Sequence, residues 1–185
     1  MYRGTAILRD KEIRNSTHTR EQQVSDMNET GEQKERALLF LGCPEVPVQM
    51  GISLYLAYML EQSGREVTVA GNPSVIKLAR VSDPERHYIR KMIDLDRCIE
   101  DLAEKKRTTD LCIVFAHNDG GITYASTVRY LHPGRLVLVI FGKKAEEFAA
   151  QVDFPCDLVV ERAVHDPTAL RKKLDEVFGW HASKS

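Results

Sequence analysis

The sequence predicts an α/β fold, a three-layer sandwich in which helices cover both faces of a five-stranded, mostly parallel sheet. Two observations support this prediction. From Ala37 onward, apolar runs of about six residues alternate with longer amphipathic segments, which is typical of a parallel sheet buried on both faces. The stretch from Ala37 to Ala70 also reads as one complete β-α-β unit, with a helix that stops at Gly64 between two apolar runs.

Composition and charge exclude several classes of protein. Of the 185 residues, 43% are hydrophobic and 29% are charged, and 26 Lys and Arg nearly balance 27 Asp and Glu. A chain with this balance lacks the basic surface that binds nucleic acid or anionic lipid. Its longest apolar stretches, such as residues 136–141, are far shorter than the roughly 20 residues that cross a bilayer. We therefore expect no nucleic-acid partner and no membrane span.

The N-terminus and the cysteines indicate a cytoplasmic protein. Charged residues at positions 9–12 follow the start of the chain, without the apolar run of a secretory signal. The four cysteines lie far apart and form no C-x-x-C pair, at Cys43, Cys98, Cys112 and Cys156. Neither a zinc ribbon nor a secreted disulfide framework is predicted, so we expect reduced thiols.

The chain is expected to hold one domain between two tails. Residues 1–35 mix polar and charged side chains without a sustained period, which predicts a flexible N-terminal tail. A short helix over residues 6–13 is the alternative, and Met27 suggests the hypothesis that translation starts there. Residues 36–180 form the single α/β domain, and residues 181–185 form a short C-terminal tail.

The β-α-β unit fixes the first three elements. A strand over residues 37–41 leads into the loop Gly42-Cys43-Pro44-Glu45-Val46-Pro47. The helix over residues 48–63 places Ile52, Leu56, Met59 and Leu60 on one stripe, with Pro47 near its first turn and Gly64 at its C-terminal end. The second strand covers residues 66–70.

The middle of the chain adds two helices and a third strand. Asn72-Pro73-Ser74 opens a helix that runs to Val81 and stops before Asp83-Pro84. Residues 84–92 form a turn or a short helix, and the run 83–90, with His87, reads as a solvated charged segment. A helix over residues 94–106 carries apolar residues at helical spacing. The third strand covers residues 111–115.

The last third repeats the alternation. Gly120-Gly121 precedes a helix over residues 122–131, and a turn at 132–134 leads to the fourth strand, 136–141. A helix over 143–151, a fifth strand over 158–161 and a helix over 167–178 complete the domain. If each crossover is right-handed and the sheet reverses direction after the second strand, the strand order is the flavodoxin-like or Rossmann-like 2-1-3-4-5.

This order predicts where a ligand would bind. Ligands of open α/β sheets gather at the carboxyl ends of the strands, where the strand order reverses. The loops after strands one and three flank that point, so Cys43 and Glu45 should lie near His117, Asn118 and Asp119. The ligand-binding candidates, with the neighbouring polar and glycine positions, are Cys43, Glu45, Asn72, Asn118, Asp119, Gly120 and Gly121.

The chemistry of these candidates stays open. Cys43 precedes a helix, where the dipole can lower a thiol pKa, but a small residue packed at the strand end is the commoner role. His117 and Asp119 could act as a base and its orienter, or with Cys43 as metal ligands. Cys43, His117 and Asp119 are thus the catalytic candidates, and no metal site and no cofactor are assigned.

Phosphate binding is disfavoured at the first loop. The loop from Gly42 to Pro47 has one glycine and two prolines, so it lacks the G-x-G-x-x-G pattern and two N–H donors. The second strand ends at Gly71-Asn72, without the acidic residue that grips a ribose. Gly120-Gly121 is a better anion cradle, although an ordinary loop is the more frequent role of such a pair.

Several separated motifs point to a family. They are, in chain order, residues 42–45, 47–49, 72–73, 83–85, the helix at 94–104 and residues 118–119. Together they resemble the uncharacterised archaeal (methanogen) family labelled domain of unknown function 1890. The resemblance covers residues 37–178. It implies an α/β sandwich in a cytoplasmic archaeal protein, with a dimer as its assembly, and it carries no activity.

Three functions fit the sequence. The first is a small-ligand or cofactor-binding domain, enzymatic or not, with its site at the carboxyl ends of strands one and three. The alternative is a non-catalytic subunit or assembly factor that acts through protein contacts. The second alternative is a thiol redox or sulfur-relay protein that uses Cys43, although no second cysteine is close in sequence. A homodimer is expected on base rates.

Overall fold

A computed structural model describes residues 34–180. The predicted tails lie outside these residues, apart from Lys34 and Glu35, as do the alternative helix at 6–13 and the hypothesis about Met27. Within the described part of the chain, no helix is both long and apolar enough to cross a membrane.

Six strands and six helices alternate along the described chain. The strands are β1 (Arg36–Leu41), β2 (Glu66–Gly71), β3 (Lys91–Asp94), β4 (Leu111–Ala116), β5 (Arg135–Phe141) and β6 (Asp157–Glu161). The helices are α1 (Val48–Gln62), α2 (Pro73–Ser82), α3 (Leu95–Ala103), α4 (Asp119–Leu131), α5 (Ala145–Ala149) and α6 (Thr168–Phe178).

The strands form one parallel sheet in the order β3-β2-β1-β4-β5-β6. In its centre, Leu39 of β1 is level with Val69 of β2 and with Ile113 of β4. The predicted α/β class and the parallel sheet are therefore confirmed. The chain moves one way from β1 to β3 and the other way from β4 to β6, so the direction reverses between β1 and β4.

The predicted strand count was wrong by one, because β3 was missed. The sequence predicts a turn or short helix over residues 84–92, but Lys91–Asp94 pairs in parallel with Thr68–Gly71 of β2. The strand has only four residues, and its two apolar side chains, Met92 and Ile93, are half-buried. Such a short edge strand has no apolar run to reveal it. Without β3, the order equals the predicted one.

Both faces of the sheet carry a core, because successive strand side chains point to opposite sides. Leu39 and Leu41 of β1 pack with apolar residues of α1, α2 and α6. Leu38 and Phe40 pack with those of α3, α4 and the start of α5. This arrangement confirms helices on both faces. It also leaves the strand ends, rather than the strand faces, as the places open to a ligand.

Asp83 organises the loop between α2 and β3. Its carboxylate accepts hydrogen bonds from the backbone N–H groups of His87, Tyr88 and Ile89 at 2.8, 2.8 and 2.7 Å. Asp83 is only 3% exposed and Ile89 only 1%. The prediction of a solvated segment was therefore wrong for these two residues, while His87 itself is exposed. A carboxylate that satisfies three donors is stable in the interior.

Candidate functional site

The β1–α1 and β4–α4 loops meet at the point where the strand order reverses. Oε2 of Glu45 lies 3.3 Å from Nε2 of His117, a contact that spans 72 positions of the sequence. The Glu45 side chain is 63% exposed, whereas that of His117 is only 5% exposed. The site thus consists of an exposed carboxylate above a buried imidazole. Sequence reasoning expected these two loops to lie close together.

The imidazole of His117 is held among aromatic and backbone groups. Its ring centroid lies 5.4 Å from that of Phe141. Gly142 follows in the left-handed region at φ +97°, and a Cβ placed there would lie 3.7 Å from Cβ of His117. The Nδ1 atom of His117 is buried and has no hydrogen-bond partner within the described residues. An unpartnered polar atom in the interior is unfavourable unless a bound water or ligand satisfies it.

Two contacts compete for the other ring nitrogen. Nδ2 of Asn118 lies 3.3 Å from Nε2 of His117, the same distance as Oε2 of Glu45. The amide can only donate to this nitrogen, and the carboxylate can only accept from it. Nε2 therefore satisfies one neighbour at a time. The imidazole has two hydrogen-bonding arrangements, and a change at Glu45 would favour the one with Asn118.

Glu45, rather than Asp119, is the carboxylate that contacts His117. Asp119 is the first residue of α4 and is exposed, and within the described residues no hydrogen bond or ion pair joins it to His117. Across the described chain, no group of three or more His, Cys, Asp or Glu side chains is placed to hold a metal ion.

Cys43 is exposed in the first loop, but it is not activated by the helix. Slight desolvation, the charge of Glu45 and a hydrogen bond with that carboxylate raise the pKa of the Cys43 thiol. The helix begins only at Val48, whose N–H donates to the backbone oxygen of Val164 at 3.0 Å. The next N–H, of Gln49, donates to the oxygen of Val46. These bonds occupy the helix end that would otherwise stabilise a thiolate.

Asn118 and the glycine pair begin α4. Oδ1 of Asn118 accepts the N–H of Gly121 at 3.0 Å, as an N-cap residue does. A Cβ on Gly121 would lie 2.6 Å from Cα of Ala116, closer than side chains tolerate. Gly121 therefore lets α4 pack closely on β4. Gly120 has more space, since a Cβ there would meet only Oδ1 of Asn118 at 3.4 Å.

Asn72 is the N-cap residue of α2 and lies beyond β2, the strand next to β1. It follows β2, and its Oδ1 accepts the N–H of Val75 at 2.9 Å at the start of α2. The structure therefore brings together Cys43, Glu45, His117 and Asn118, while the polar group of Asn72 serves its own helix.

Gln49 belongs to the site and was not among the predicted residues. It is 1% exposed, and its Nε2 donates to the backbone oxygen of Gly42 at 3.2 Å. Its Oε1 is buried without a hydrogen-bond partner in the described chain. A signal was present, because Gln49 lies three residues before Ile52 and seven before Leu56 and so falls on the apolar stripe of α1. A polar residue on a buried stripe is unusual and indicates a special role.

One enclosed space among the described residues at these strand ends is small. A cavity of about 10 Å³ lies at the carboxyl ends of β1 and β4, lined by residues that include Gly42, Gly121 and Tyr124. That volume admits about one water molecule. A larger ligand does not fit in this cavity.

The α/β domain is similar to a protein family, to a relative and to a solved structure. A family model described as "Domain of unknown function (DUF1890)" matches residues 38–177. The uncharacterized protein MJ0452 of the methanogenic archaeon Methanocaldococcus jannaschii is 26% identical over 145 residues, which make up 76% of this chain and 95% of the relative. A solved structure described as "Structure of MT0777" matches with a TM-score of 0.74 and 31% identity, over 82% of this chain and 100% of the other.

Proposed function

Because the chain belongs to the DUF1890 family, a domain of unknown function, we propose its function from the geometry of the site. It is a small-ligand-binding domain, and its ligand lies on the rim between the β1–α1 and β4–α4 loops. The ligand contacts Glu45, His117 and Asn118. A cytoplasmic location is part of the proposal, since four free cysteines fit a reducing compartment.

The observation that carries the proposal is the unpartnered Nδ1 of His117. The side chain is 5% exposed, and Nδ1 has no hydrogen-bond partner among the described residues. Leaving a buried polar group unsatisfied is unfavourable by about 1–3 kcal/mol. A binding or catalytic role is one explanation for such an arrangement. The unpartnered Oε1 of Gln49, at the start of α1, supports the same interpretation.

The exposed carboxylate of Glu45 gives the ligand its first contact. A ligand that binds Glu45 and draws its carboxylate away from His117 leaves Nε2 to accept from Asn118 instead. Binding at the rim is thus coupled to the buried imidazole through one hydrogen bond. A ligand with a donor group, such as an amide, amine or hydroxyl, has the chemistry that this carboxylate recognises.

The test is a thermal-shift screen of the full-length chain with nucleotides, flavins, corrinoids and divalent metals. A ligand present at 100 times its dissociation constant should stabilise the fold by about 2.7 kcal/mol. Glu45→Gln should remove the shift. The matched control is Glu85→Gln, because Glu85 also contacts a histidine, His87, at 2.9 Å but lies in the α2–β3 loop.

Glu45→Gln is the decisive variant because the Glu45 side chain is exposed, so that its replacement leaves the core intact. Mass spectrometry of the natively purified protein extends the screen to ligands outside the panel. A small molecule that copurifies with the wild type and with Glu85→Gln, but not with Glu45→Gln, supports the proposal. A ligand retained by Glu45→Gln and by His117→Gln alike would contradict it.

An exposed aromatic patch favours a second candidate function, that of a non-catalytic subunit or assembly factor. Tyr58 and Tyr88 are 44% and 42% exposed, and their rings lie edge to face at 6.0 Å. With Leu54 and Tyr55 they line a surface cavity of about 380 Å³. Tyr residues are enriched at protein interfaces. A protein that copurifies with the wild type and is lost from Tyr58→Ser/Tyr88→Ser would support this role.

The redox function has less support. The pKa of Cys43 is raised rather than lowered, and Cys98 and Cys112 are buried. Burial also raises the pKa of Cys98, to about 11. These are not the conditions of an activated thiol pair. The expected homodimer stays a prediction, which sedimentation at micromolar concentration tests.

A further inference from the structure

A larger cavity lies at the amino ends of the strands, between the α3–β4 and α4–β5 connections. Its volume is about 490 Å³, and it is lined by the ends of both helices and by the two loops that follow them. Cavities of about 300–1,000 Å³ are typical of small-molecule sites. This cavity is far from the rim described above, because it adjoins the amino ends of β4 and β5.

The lining combines apolar walls with an excess of positive charge. Leu102, Leu131 and Pro133 supply apolar surface, while Lys105 and Arg107 supply two cations. Asp110 is the one carboxylate among the lining residues, and its Oδ2 already accepts the backbone N–H of Arg36 at 2.7 Å. An apolar body with an anionic group fits such a lining.

The guanidinium of Arg107 is only partly paired within the described residues. Its Nη2 lies 3.7 Å from Oδ2 of Asp101, near the outer limit of an ion pair, whereas Nε of Arg97 lies 3.2 Å from Oδ1 of the same carboxylate. Nε of Arg107 is buried and has no hydrogen-bond partner among the described residues. The Arg107 side chain is nevertheless 31% exposed, and the loosely paired end of its guanidinium can recognise carboxylate or phosphate oxygens.

The α4–β5 loop, on the other side of the cavity, is held by hydrogen bonds and contains a second polar atom that is unpartnered in the described part of the chain, Nε2 of His132. His132 is 4% exposed, and its Nε2 also has no partner in the described structure. The guanidinium of Arg129 donates to the backbone oxygens of His132 and, at 3.0 Å, of Gly134. These bonds fix the α4–β5 loop, so a ligand would enter a formed cavity and would not have to order the chain first.

We propose that this cavity is a binding site for a small organic anion, whose carboxylate or phosphate pairs with Arg107 and Lys105 and whose apolar body lies against Leu102, Leu131 and Pro133. The site is independent of the rim at Glu45 and His117. The apolar walls supply burial, and the two cations supply selectivity for charge.

The test compares two probes that share an aromatic body and differ in charge. The anionic probe is 1-anilinonaphthalene-8-sulfonate, and the neutral one is N-phenyl-1-naphthylamine. Both are titrated into the full-length chain while fluorescence is recorded. Lys105→Gln/Arg107→Gln should weaken binding of the anion by about tenfold or more, since charge-assisted hydrogen bonds are the strong ones, and should leave the neutral probe unchanged. Lys172→Gln/Arg80→Gln, which removes two exposed cations elsewhere, is the matched control.

Two further measurements locate the probe. Thr108→Trp fills the exposed side of the cavity without changing its charge and should abolish binding of both probes. Backbone amide shifts of Thr109 and Gly134 should move on titration. Displacement of the sulfonate by phenyl phosphate or by 3-phenylpropionate then distinguishes a phosphate headgroup from a carboxylate. Equal affinity in wild type and Lys105→Gln/Arg107→Gln, displacement by neither competitor, or amide shifts confined to Tyr58 and Tyr88 would overturn the proposal.

Discussion

A Cβ atom on Gly121 would lie 2.6 Å from Cα of Ala116 and 3.3 Å from the backbone oxygen of Phe115. The first turn of α4 therefore rests directly on the end of β4. The same turn presents Asn118, whose Nδ2 lies 3.3 Å from Nε2 of His117. Close packing of a helix on a strand is thus what positions one side of the candidate site.

Alanine should have opposite effects on the unfolding free energy at Gly121 and at Gly120. Gly121→Ala should destabilise the fold by about 1–3 kcal/mol, because the added methyl must push α4 away from a buried backbone. Gly120→Ala should be neutral or stabilising by up to about 1 kcal/mol, since its neighbour is 3.4 Å away and alanine favours the helix. Urea unfolding of both variants measures the difference. A Gly121→Ala protein as stable as the wild type would show that the contact is not constraining.

Asp83 should make stability depend on acid pH. Burial alone would raise the pKa of Asp83, but the three backbone N–H groups that it accepts and the nearby His87 outweigh this effect and lower it. A carboxyl whose pKa is lower in the folded state stabilises the fold above its unfolded pKa of about 4, and that stabilisation is lost as pH falls through the folded value. Unfolding free energy should therefore decline below about pH 4.

Asp83→Asn tests this assignment. The amide leaves one oxygen for three donors and directs its own N–H groups at them, so stability at pH 7 should fall by about 1–3 kcal/mol. The decline below pH 4 should also become shallower. Asp153→Asn, at an exposed position, is the control and should change neither quantity. An unchanged acid profile in Asp83→Asn would assign the acid dependence to other carboxyls.

Much of the fold was predictable because buried strands and helices need apolar residues at regular spacing, and this spacing is visible in the sequence. Leu38 and Leu39 face opposite cores, and a run that is apolar at every position has that meaning in a parallel sheet. The convergence of Glu45 and His117 followed from the predicted strand order, in which right-handed crossovers and a reversal after the second strand put β4 beside β1. These inferences depend on patterns that extend over many residues.

Other features were not predictable because they depend on single long-range contacts. Met92 and Ile93 become a strand only by pairing with β2. Asp83 looks like any charged loop residue until its three donors are known. Gly121 carries the same sequence signal whether or not the helix packs closely on the strand, and only the distance to Ala116 shows that it does.

A second pH dependence should appear in alkali, at the contact between α1 and α6. The hydroxyl of Tyr55 donates to the carboxylate of Asp175, which is 6% exposed. Desolvation and Asp175 raise the pKa of Tyr55 to about 12. A tyrosine whose pKa is raised in the folded state stabilises it fully below the unfolded pKa of about 10, and this stabilisation is lost as pH rises toward 12.

Tyr55→Phe should lower the unfolding free energy by about 1–3 kcal/mol at pH 7, because it deprives a buried carboxylate of a donor. The loss of stability between pH 10 and pH 12 should also become smaller. Trp180, whose ring lies 6.1 Å from that of Tyr55, reports the transition by its fluorescence. Tyr130→Phe is the control, since Tyr130 is 90% exposed. Equal stability of the two variants would contradict a structural role for the Tyr55 hydroxyl.

Cys43 should be the most accessible thiol and yet a slow nucleophile near neutral pH. It is exposed, whereas Cys98 and Cys112 are buried and Cys156 is half-buried. Its pKa is raised by desolvation, by the charge of Glu45 and by the hydrogen bond with that carboxylate. Since the thiolate is the reactive form, alkylation by iodoacetamide should be slow at pH 7 and should accelerate above about pH 8.5.

Glu45→Gln separates the causes of that raised pKa. Removing the carboxylate charge should shift the pH profile of alkylation to lower pH, so that Cys43 reacts faster at pH 8. The shift should be partial, because desolvation, the largest cause, remains. Cys43→Ser identifies the reacting thiol, and Glu85→Gln should leave the profile unchanged. Half-maximal reactivity near pH 7 in the wild type would instead show that the loop activates Cys43, and it would restore the redox function as a candidate.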